Sequence, residues 1–269
     1  MIRHLRPGAR ILALSWDATT PAAVAQLLTQ RGFGSSVFTV LEAMGGPRER
    51  VTRCLAHDWQ DAQIQPMNTL AIEVVSDPCA RVIGLAPGLE DHLFEHDGQL
   101  TRREIRAVTL SALAPRAGEL LWDIGLGAGS VAIEWLLCHP SLRAIGIEAS
   151  AERAARAARN AATLGTPDLQ IITGEAPASL RSLPPPDAIF IGGGLIDPGV
   201  LDAAWSGLKP GGRLVANAVT LESEARLTAL YAERGGDLIR LSISRAASVG
   251  ALHGWRPAMP ITQWRAVKP

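Results

Sequence analysis

The chain has 269 residues, and its 26 basic side chains are matched by 26 acidic ones. Apolar residues make up 47% of it, which is enough for a packed core and too many for a disordered chain. No stretch is long and apolar enough for a membrane helix or a secretory signal. The cysteines Cys54, Cys79 and Cys138 lie far apart without a C-x-x-C motif, so we expect a cytoplasmic protein with no structural metal site.

The first third of the chain alternates between strand and helix patterns. Thr20 and Pro21 favour a helix start, with threonine at the N-cap and proline in the first turn. We predict strands at residues 9–15, 36–41 and 70–75, and helices at 22–30 and 48–57. A connector rich in proline, glycine and acidic residues follows at 76–100, and its composition indicates a domain boundary near Pro87.

A longer alternation begins at Thr101, which has capping-box spacing to Glu104. Ser150 is a second candidate N-cap. Strands alternating with helices predict a parallel, doubly wound sheet, and two closing strands without a helix between them predict an antiparallel pair at one edge. We predict helices at 101–113, 130–138, 151–164, 200–207 and 221–234, and strands at 119–124, 142–147, 169–173, 188–191, 213–219, 238–244 and 261–267.

The sharpest motif is a glycine-rich turn between a predicted strand and a predicted helix. Glycines there allow a tight turn and the close approach of a ligand, and the helix N-terminus offers free N–H groups. Glu148 lies at the end of the next strand, where a carboxylate can accept both hydroxyls of a ribose. The motif is Trp122-Asp-Ile-Gly-Leu-Gly-Ala-Gly129, with candidate cofactor-binding residues Asp123, Gly125, Leu126, Gly127, Ala128 and Gly129.

Two nucleoside cofactors compete for this turn. A dinucleotide fingerprint is G-x-G-x-x-G, but here the third glycine comes one residue early. Asp123 precedes the first glycine by two residues and would repel a pyrophosphate, whereas it suits a cationic amino-acid end. The pattern therefore favours S-adenosylmethionine, with a nicotinamide-dependent oxidoreductase as the alternative.

Further candidates follow from their positions at the carboxyl ends of predicted strands, where doubly wound sheets bind ligands. Glu175 and Ala176 are placed to flank an adenine, and Gly192 and Gly193 leave room for a methyl donor to meet its acceptor. Asn217 is placed to touch substrate. The last 61 residues hold nine basic and four acidic side chains, which favours an anionic substrate.

Arginines and one histidine complete the candidate substrate residues. Arg102 and Arg106 are one helical turn apart and are predicted to bind carboxylates. His253 lies in a glycine-rich stretch between the last two predicted strands and is a candidate acid or base, as is Glu175. The residues themselves assign no nucleophile and no confirmed catalytic group.

Residues 89–269 resemble the precorrin methyltransferases that methylate C15 of the corrin precursor and remove a ring acetate carboxyl in cobalamin biosynthesis. Thr101-Arg-Arg-Glu-Ile-Arg106 together with Val215-Ala-Asn-Ala218 is more specific than the glycine turn. The resemblance also rests on Phe94-Glu-His-Asp97, Leu121-Trp-Asp-Ile-Gly-Leu-Gly-Ala-Gly129, Gly174-Glu-Ala-Pro177, Phe190-Ile-Gly-Gly193 and Pro210-Gly-Gly-Arg-Leu-Val-Ala-Asn-Ala218.

Residues 1–86 resemble the second half of a tetrapyrrole methylase that acts at C5. The two activities are fused in the precorrin-6Y C5,15-methyltransferase (decarboxylating) family. The glycine-rich cofactor segment expected at the start of the C5 domain does not occur before Arg10, so we expect a truncated domain without C5 methylation. The resemblance is carried by Thr20-Pro-Ala-Ala-Val-Ala25, Arg31-Gly-Phe-Gly34 and Leu41-Glu-Ala-Met-Gly-Gly-Pro47.

The resemblance implies an α/β architecture: a Rossmann-like class I S-adenosylmethionine-dependent methyltransferase domain at 87–269, with a seven-stranded, mostly parallel sheet, preceded by a partial α/β tetrapyrrole-methylase domain at 1–86. It implies a tetrapyrrole polycarboxylate substrate, a homo-oligomer of tetramer type, and neither nucleic acid nor membrane as partner. Among the cofactor positions it adds Thr101. A class I methyltransferase for another small molecule or for RNA, or a non-catalytic remnant, remain alternatives.

Overall fold

The computed structural model describes residues 1–60 and 63–269. The chain divides into two compact units, Met1–Gly84 and Leu85–Pro269. Within the described residues, no helix has both the length and the apolar character needed to cross a bilayer.

The first unit is a four-stranded sheet with one helix, and every strand pair in it is antiparallel. Alternate residues of the strands face a core that includes Leu28, Phe33, Phe38 and Leu70. The strand order is β1-β4-β2-β3. The elements are β1 (Arg10–Leu14), α1 (Thr20–Gln30), β2 (Val37–Glu42), β3 (Arg50–Leu55) and β4 (Asn68–Glu73).

The helix predicted at 48–57 is wrong, because this segment forms β3. It pairs in antiparallel register with β2, which sets Arg50 opposite Glu42. Arg50 Nε donates to Glu42 Oε2 at 2.6 Å, and the Glu42 side chain is fully buried. The partner strand and this ion pair override the local helical spacing of Val51, Cys54 and Leu55, since strand propensity depends strongly on tertiary neighbours.

The second unit alternates helices and strands almost throughout. It contains α2 (Arg103–Leu113), β5 (Leu120–Ile124), α3 (Ser130–Cys138), β6 (Arg143–Glu148), α4 (Ala151–Leu164), β7 (Gln170–Thr173), β8 (Ala188–Ile191), α5 (Val200–Gly207), β9 (Arg213–Ala218), α6 (Leu221–Arg234), β10 (Asp237–Leu241), β11 (Ser244–Val249), β12 (Leu252–Pro257) and β13 (Ile261–Val267).

Seven of these strands form one sheet in the order β10-β13-β9-β8-β5-β6-β7. The five strands from β9 to β7 are parallel, and β13 runs antiparallel to both β9 and β10. All five residues of β5 are buried, as expected for a central strand covered on both faces. The predicted parallel sheet with an antiparallel edge pair is confirmed.

A two-stranded hairpin of β11 and β12 interrupts the chain between β10 and β13, and the sequence analysis did not predict it. β11 is rich in alanine and serine, β12 contains glycine and proline, and both strands are mostly exposed. The alternation of apolar and polar residues that signals a half-buried strand is therefore weak here.

The ends of two helices test the capping predictions. Ser150 caps α4, because its side chain accepts a hydrogen bond from the N–H of Arg153. The capping box predicted from Thr101 is wrong: α2 begins at Arg103 and has no side-chain cap from its own N-cap residue. Asp91 instead accepts from Arg103 N at 2.9 Å, so a loop residue outside the helix satisfies this donor.

Candidate active site

The loop between β5 and α3, residues 125–129, is the glycine loop. Its first two N–H groups, of Gly125 and Leu126, both donate to the carbonyl oxygen of Ile147 over 3.0 Å. A Cβ at Gly125 would lie 2.7 Å from the backbone nitrogen of Gly193, which no side chain can tolerate. The loops after β5 and β8 therefore touch backbone to backbone at the carboxyl edge of the sheet.

Gly127 stands at the tip of this loop with a φ of +56°. A Cβ added there would find only the carbonyl oxygen of Gly125, at 4.0 Å, and otherwise open space. Because the Gly127 N–H donates to Glu148 Oε2 at 2.8 Å, the loop is fastened to the end of β6. The position suits a ligand that lies directly against bare backbone.

Glu148 is held in a fixed orientation by backbone donors. Its Oε1 atom accepts from Ser150 N at 3.0 Å, while Oε2 accepts from Gly127. The residue is 6% exposed and lines the same cavity as the glycine loop. Each carboxylate oxygen keeps a further lone pair, which is the acceptor arrangement that a vicinal diol of a ribose requires.

Asp123 lies at the end of β5 beneath the glycine loop and is 1% exposed. Its Oδ2 atom accepts from Ala132 N at 3.0 Å, whereas its Oδ1 atom is buried with no hydrogen-bond partner. Burial raises the pKa of Asp123 to about 8, the charge of Glu148 adds to the rise, and the Ala132 N–H opposes it. A cationic ligand group beside Oδ1 would reverse this shift.

These residues line one cavity of about 1330 Å³ at the carboxyl edge of the sheet. Nearly all of the predicted site residues meet there, which places the glycine loop and the proposed acceptor positions in one space. The predicted residues on its wall are Thr101, Arg102, Asp123, Gly125, Leu126, Gly127, Ala128, Glu148, Glu175, Ala176, Gly192, Gly193 and Asn217.

The prediction that Arg106 binds a substrate carboxylate is wrong. Its side chain is fully buried, and its guanidinium donates to Glu134 at 2.5 Å, to Asp91 at 3.2 Å, and to the carbonyl oxygens of Leu89 and Thr101. It therefore crosslinks α2, α3 and the segment before α2. The Arg106 N–H donates to the carbonyl oxygen of Arg102 one turn back, but Arg102 is the exposed N-cap residue whereas the Arg106 side chain faces the interior.

Two other predicted residues lie off the cavity wall. Gly129 is the N-cap residue of α3, and a Cβ there would meet Ala157 at 3.2 Å, so it serves the packing of α3 on α4. His253 lies exposed in β12, opposite Ser248 in the hairpin, and not in a loop as predicted. The structure gives it no contact with the cavity, and its assignment as acid or base is withdrawn.

Asn217 reaches the cavity from β9 with its amide already oriented. Its Nδ2 donates to Thr109 Oγ1 at 3.0 Å, and its Oδ1 accepts from Gln263 Nε2 at 2.8 Å. Thr109 and Gln263 are both buried. The network joins α2, β9 and β13 behind the cavity wall and fixes which face of the amide is presented.

The segment that carries Thr101 is bound to α4 by both charge and backbone contacts. Asn160 accepts from Glu95 N at 2.8 Å and donates to the carbonyl oxygen of Glu95 at 2.9 Å. The Gln99 N–H together with Arg156 and Arg153 holds the pKa of Asp97 well below its usual range. These contacts close one side of the cavity with residues that precede α2.

The sequence analysis missed several residues of the cavity wall. Arg245, at the base of the hairpin, and Met259, just after it, lie between the last two predicted strands, whereas Ile261 begins the predicted strand 261–267. Their only sequence signal is the basic character of the last quarter. Asp197 follows the glycines after β8, so it could have been predicted from its position after a strand end, as Gly192 and Gly193 were. Gln99, Glu104 and Arg153 also line the cavity and were not predicted as site residues.

Comparison with known proteins gives a consistent result. A family model described as the precorrin methyltransferase domain matches residues 92–268. A precorrin-6Y C(5,15)-methyltransferase (decarboxylating) of Sinorhizobium sp is 56% identical over 265 residues, which cover 98% of this chain and 64% of that protein. The chain thus spans less than two thirds of the length of this relative.

A cobalt-precorrin-6B C(15)-methyltransferase (decarboxylating) of Salmonella typhimurium is 32% identical over 179 residues, covering 64% of this chain and 92% of that protein. The crystal structure of the C-terminal domain of precorrin-6Y C5,15-methyltransferase from Rhodobacter capsulatus matches with a TM-score of 0.66 at 48% identity. It covers 69% of this chain and all of that one. The predicted Rossmann-like methyltransferase fold and the family resemblance are confirmed.

Proposed function

This chain belongs to the family of precorrin methyltransferase domains, and on that premise we propose that it methylates C15 of precorrin-6Y and removes the carboxyl group of a ring acetate. The methyl donor is S-adenosylmethionine, and the reaction belongs to cobalamin biosynthesis. The observation that carries this proposal is the buried Asp123 Oδ1 atom without a partner, set beside the bare backbone of Gly127 in one cavity.

The residues present fit this donor. Asp123 offers an unsatisfied carboxylate oxygen to its ammonium group, Glu148 offers two oriented oxygens to its ribose hydroxyls, and Glu175 and Ala176 flank its adenine. Thr101 and the glycine-loop residues 125–128 supply backbone contact around it. When bound, S-adenosylmethionine supplies an electrophilic methyl group on a sulfonium ion.

The chain's own part in the methyl transfer is to position and enclose the acceptor. The backbones of Gly125 and Gly193 meet without an intervening side chain, and both residues line the cavity in which donor and acceptor would meet. Enforced proximity of this kind contributes much of the acceleration in a direct transfer. The cavity wall would hold C15 of the acceptor against the methyl group that S-adenosylmethionine supplies when bound.

Decarboxylation breaks the bond between the acetate methylene and its carboxylate, and releases carbon dioxide. The electron pair passes into the conjugated macrocycle, and a proton ends on the methylene carbon. Asn217 and Arg102 lie on the part of the cavity wall where we place the acceptor, and they bind its polar edge.

We assign residues 87–269 to the C15 reaction and residues 1–86 to the second half of a C5-type tetrapyrrole methylase. The assignment of C15 chemistry is supported by the cavity, since its wall residues lie between Gly98 and Ile261. We further propose a cytoplasmic homo-oligomer of tetramer type, in which exposed apolar side chains of the hairpin are covered by other copies: Val249, Leu252 and Trp255.

Mass spectrometry of the product of precorrin-6Y and S-adenosylmethionine tests this function. We expect one methyl gained and one carbon dioxide lost, and neither change with Asp123→Asn under the same conditions. A product with two methyls would extend the activity to C5. Binding of S-adenosylhomocysteine without any change in precorrin-6Y would contradict the proposed acceptor, and tight binding of a nicotinamide dinucleotide instead would contradict the proposed donor.

A further inference from the structure

The hairpin carries two arginines side by side, one of which lines the cavity. Arg245 of β11 lies directly opposite Arg256 of β12 in the register of the hairpin, so both side chains leave the same face. Like charges at directly opposed positions of an antiparallel pair destabilise it. Arg245 lines the cavity, and Arg256 is its neighbour across the hairpin, so this unfavourable pair borders the space proposed for an anionic acceptor.

A single carboxylate offsets this repulsion in the structure. Arg245 Nη2 donates to Glu104 Oε2 at 2.5 Å, which joins the hairpin to the first turn of α2, and Glu104 also lines the cavity. Arg256 is exposed and has no acidic partner among residues 1–60 and 63–269. Glu104 therefore balances the charge of Arg245 alone, and that of Arg256 is left without a counter-charge.

The pair of Arg245 and Glu104 is easily exchanged. Their side chains are 49% and 44% exposed. An ion pair so open to water changes an equilibrium constant by about fivefold at most. A ligand carboxylate of similar geometry can replace Glu104 with little net loss, and Arg256, opposite Arg245 in the hairpin, adds a second positive charge nearby. Arg102, 48% exposed and 3.5 Å from Asp91, offers a third cationic group on the cavity wall.

We propose that Glu104 is a built-in stand-in for a carboxylate of the acceptor, and that Arg245 and Arg256 exchange it for a side-chain carboxylate of the incoming polycarboxylate. This inference rests on the proposed function for the identity of the acceptor. It assigns recognition of the acceptor to Arg245 and Arg256 of the hairpin, which we call the clamp, in place of the buried Arg106. It also makes Glu104 a competitor of substrate.

The proposal predicts opposite effects from the two halves of one ion pair. Arg245→Gln removes a charge-assisted hydrogen bond to the acceptor and raises KM for precorrin-6Y about tenfold. Glu104→Gln removes the competitor and lowers KM about threefold to fivefold. In the double variant Glu104→Gln gives no gain, because the arginine it would release is gone. A purely structural ion pair would instead make both single variants worse.

Uroporphyrin, a tetrapyrrole that carries eight carboxylates, serves as a second probe that needs no turnover. Its binding, followed by absorbance or fluorescence titration, is expected to rank Glu104→Gln tightest, wild type next and Arg245→Gln weakest. The matched control is the pair Arg240 and Glu224, which is similarly exposed and joins β10 to α6 away from the cavity wall. Arg240→Gln and Glu224→Gln are expected to leave both readouts unchanged.

The outcomes separate this inference from the proposed function. The expected uroporphyrin ranking without turnover of precorrin-6Y would support the clamp and contradict the function. Turnover of precorrin-6Y with KM raised by both single variants, or changed by neither, would overturn the clamp and leave the function in place. A wild-type protein that fails to bind uroporphyrin saturably would also overturn the clamp. Unchanged affinity for S-adenosylhomocysteine in every variant confirms that the cofactor portion is intact.

Discussion

The side-chain amide of Asn160 donates to the carbonyl oxygen of Ala128 over 2.9 Å, and so connects α4 to the glycine loop. The same amide makes two hydrogen bonds with the backbone of Glu95. Asn160 is 4% exposed. One buried side chain therefore sets the distance between the loop under the proposed donor and the segment that leads to Thr101.

Asn160→Ala is expected to weaken S-adenosylhomocysteine binding about tenfold, although this residue does not line the cavity. The reason is that three hydrogen bonds between the two walls are lost, and a buried acceptor is left unpaired. Calorimetric titration measures the change. Arg159→Gln is the control, since Arg159 also joins α4 to Glu95 but through an exposed pair. Equal effects of the two variants would argue against a positioning role for Asn160.

Gly127→Val is expected to abolish measurable binding of S-adenosylhomocysteine. The new side chain finds no protein atom nearby and fills the cavity instead. Part of any loss of stability comes from the positive φ, which costs a β-branched residue about 1–2 kcal/mol. Gly118→Val separates the two effects, because Gly118 has a φ of +84° and open surroundings outside the cavity wall. We expect the Tm of both variants to fall by a similar amount, and only Gly127→Val to lose S-adenosylhomocysteine binding.

The pH dependence of donor binding follows from Asp123. In the free protein its pKa lies at about 8, so the carboxyl is mostly protonated at neutral pH. An ammonium group favours the ionised form, hence binding releases a proton. We expect the affinity for S-adenosylhomocysteine to rise by about tenfold per pH unit from pH 6 towards 8. We expect Asp123→Asn to bind S-adenosylhomocysteine more weakly, with an affinity that does not change with pH. Calorimetric titration in buffers of different ionisation enthalpy measures how many protons are released on binding.

The same carboxyl makes a prediction for the stability of the ligand-free protein. Folding raises the pKa of Asp123 from 3.8 to about 8. Its favourable contribution is therefore complete below pH 3.8 and is lost progressively as the pH rises to 8. Asp123→Asn does not titrate, so we expect its Tm to increase relative to that of the wild type as the pH rises from 5 to 8. A Tm difference that stays constant over this range would contradict the raised pKa.

Arg106→Met is expected to lower the free energy of unfolding by about 3–5 kcal/mol, because it leaves the carboxylate of Glu134 buried without its cation. Glu134 retains the N–H groups of Gly88 and Leu89, at 2.6 and 2.9 Å. The double variant with Glu134→Gln is expected to recover part of the loss in urea unfolding. Arg103→Gln, which breaks an exposed pair on the same helix, should cost less than about 1 kcal/mol.

The glycine loop was readable from sequence because each of its signals is local. A strand, a turn with glycines at its three positive-φ positions and a helix start follow one another between Leu120 and Ser130, and Glu148 stands at the end of the next strand. Arg106 was misread because its partner Glu134 is 28 residues away on another helix. Sequence spacing places a residue on a face of a helix, but it does not say whether that face is covered.

The hairpin of β11 and β12, in contrast, could not be predicted from local sequence signals. Arg245 and Arg256 acquire their role only through a register that pairs them, and through Glu104, which lies 141 residues from Arg245. Likewise, β3 forms a strand because of its partner β2, and its own residues do not indicate this. In both places the deciding interaction is long-range, and the local pattern is either weak or points to a different element.

The location of the cavity wall between Gly98 and Ile261 has a genetic consequence. Every group that we assign to donor and acceptor is encoded in one uninterrupted stretch, which corresponds to the 92–268 match of the family model. Recombination can move such a stretch as a block without dividing the site. Joining it to another coding region then fixes the molar ratio of the two products at one, while the inherited cavity needs no new residues.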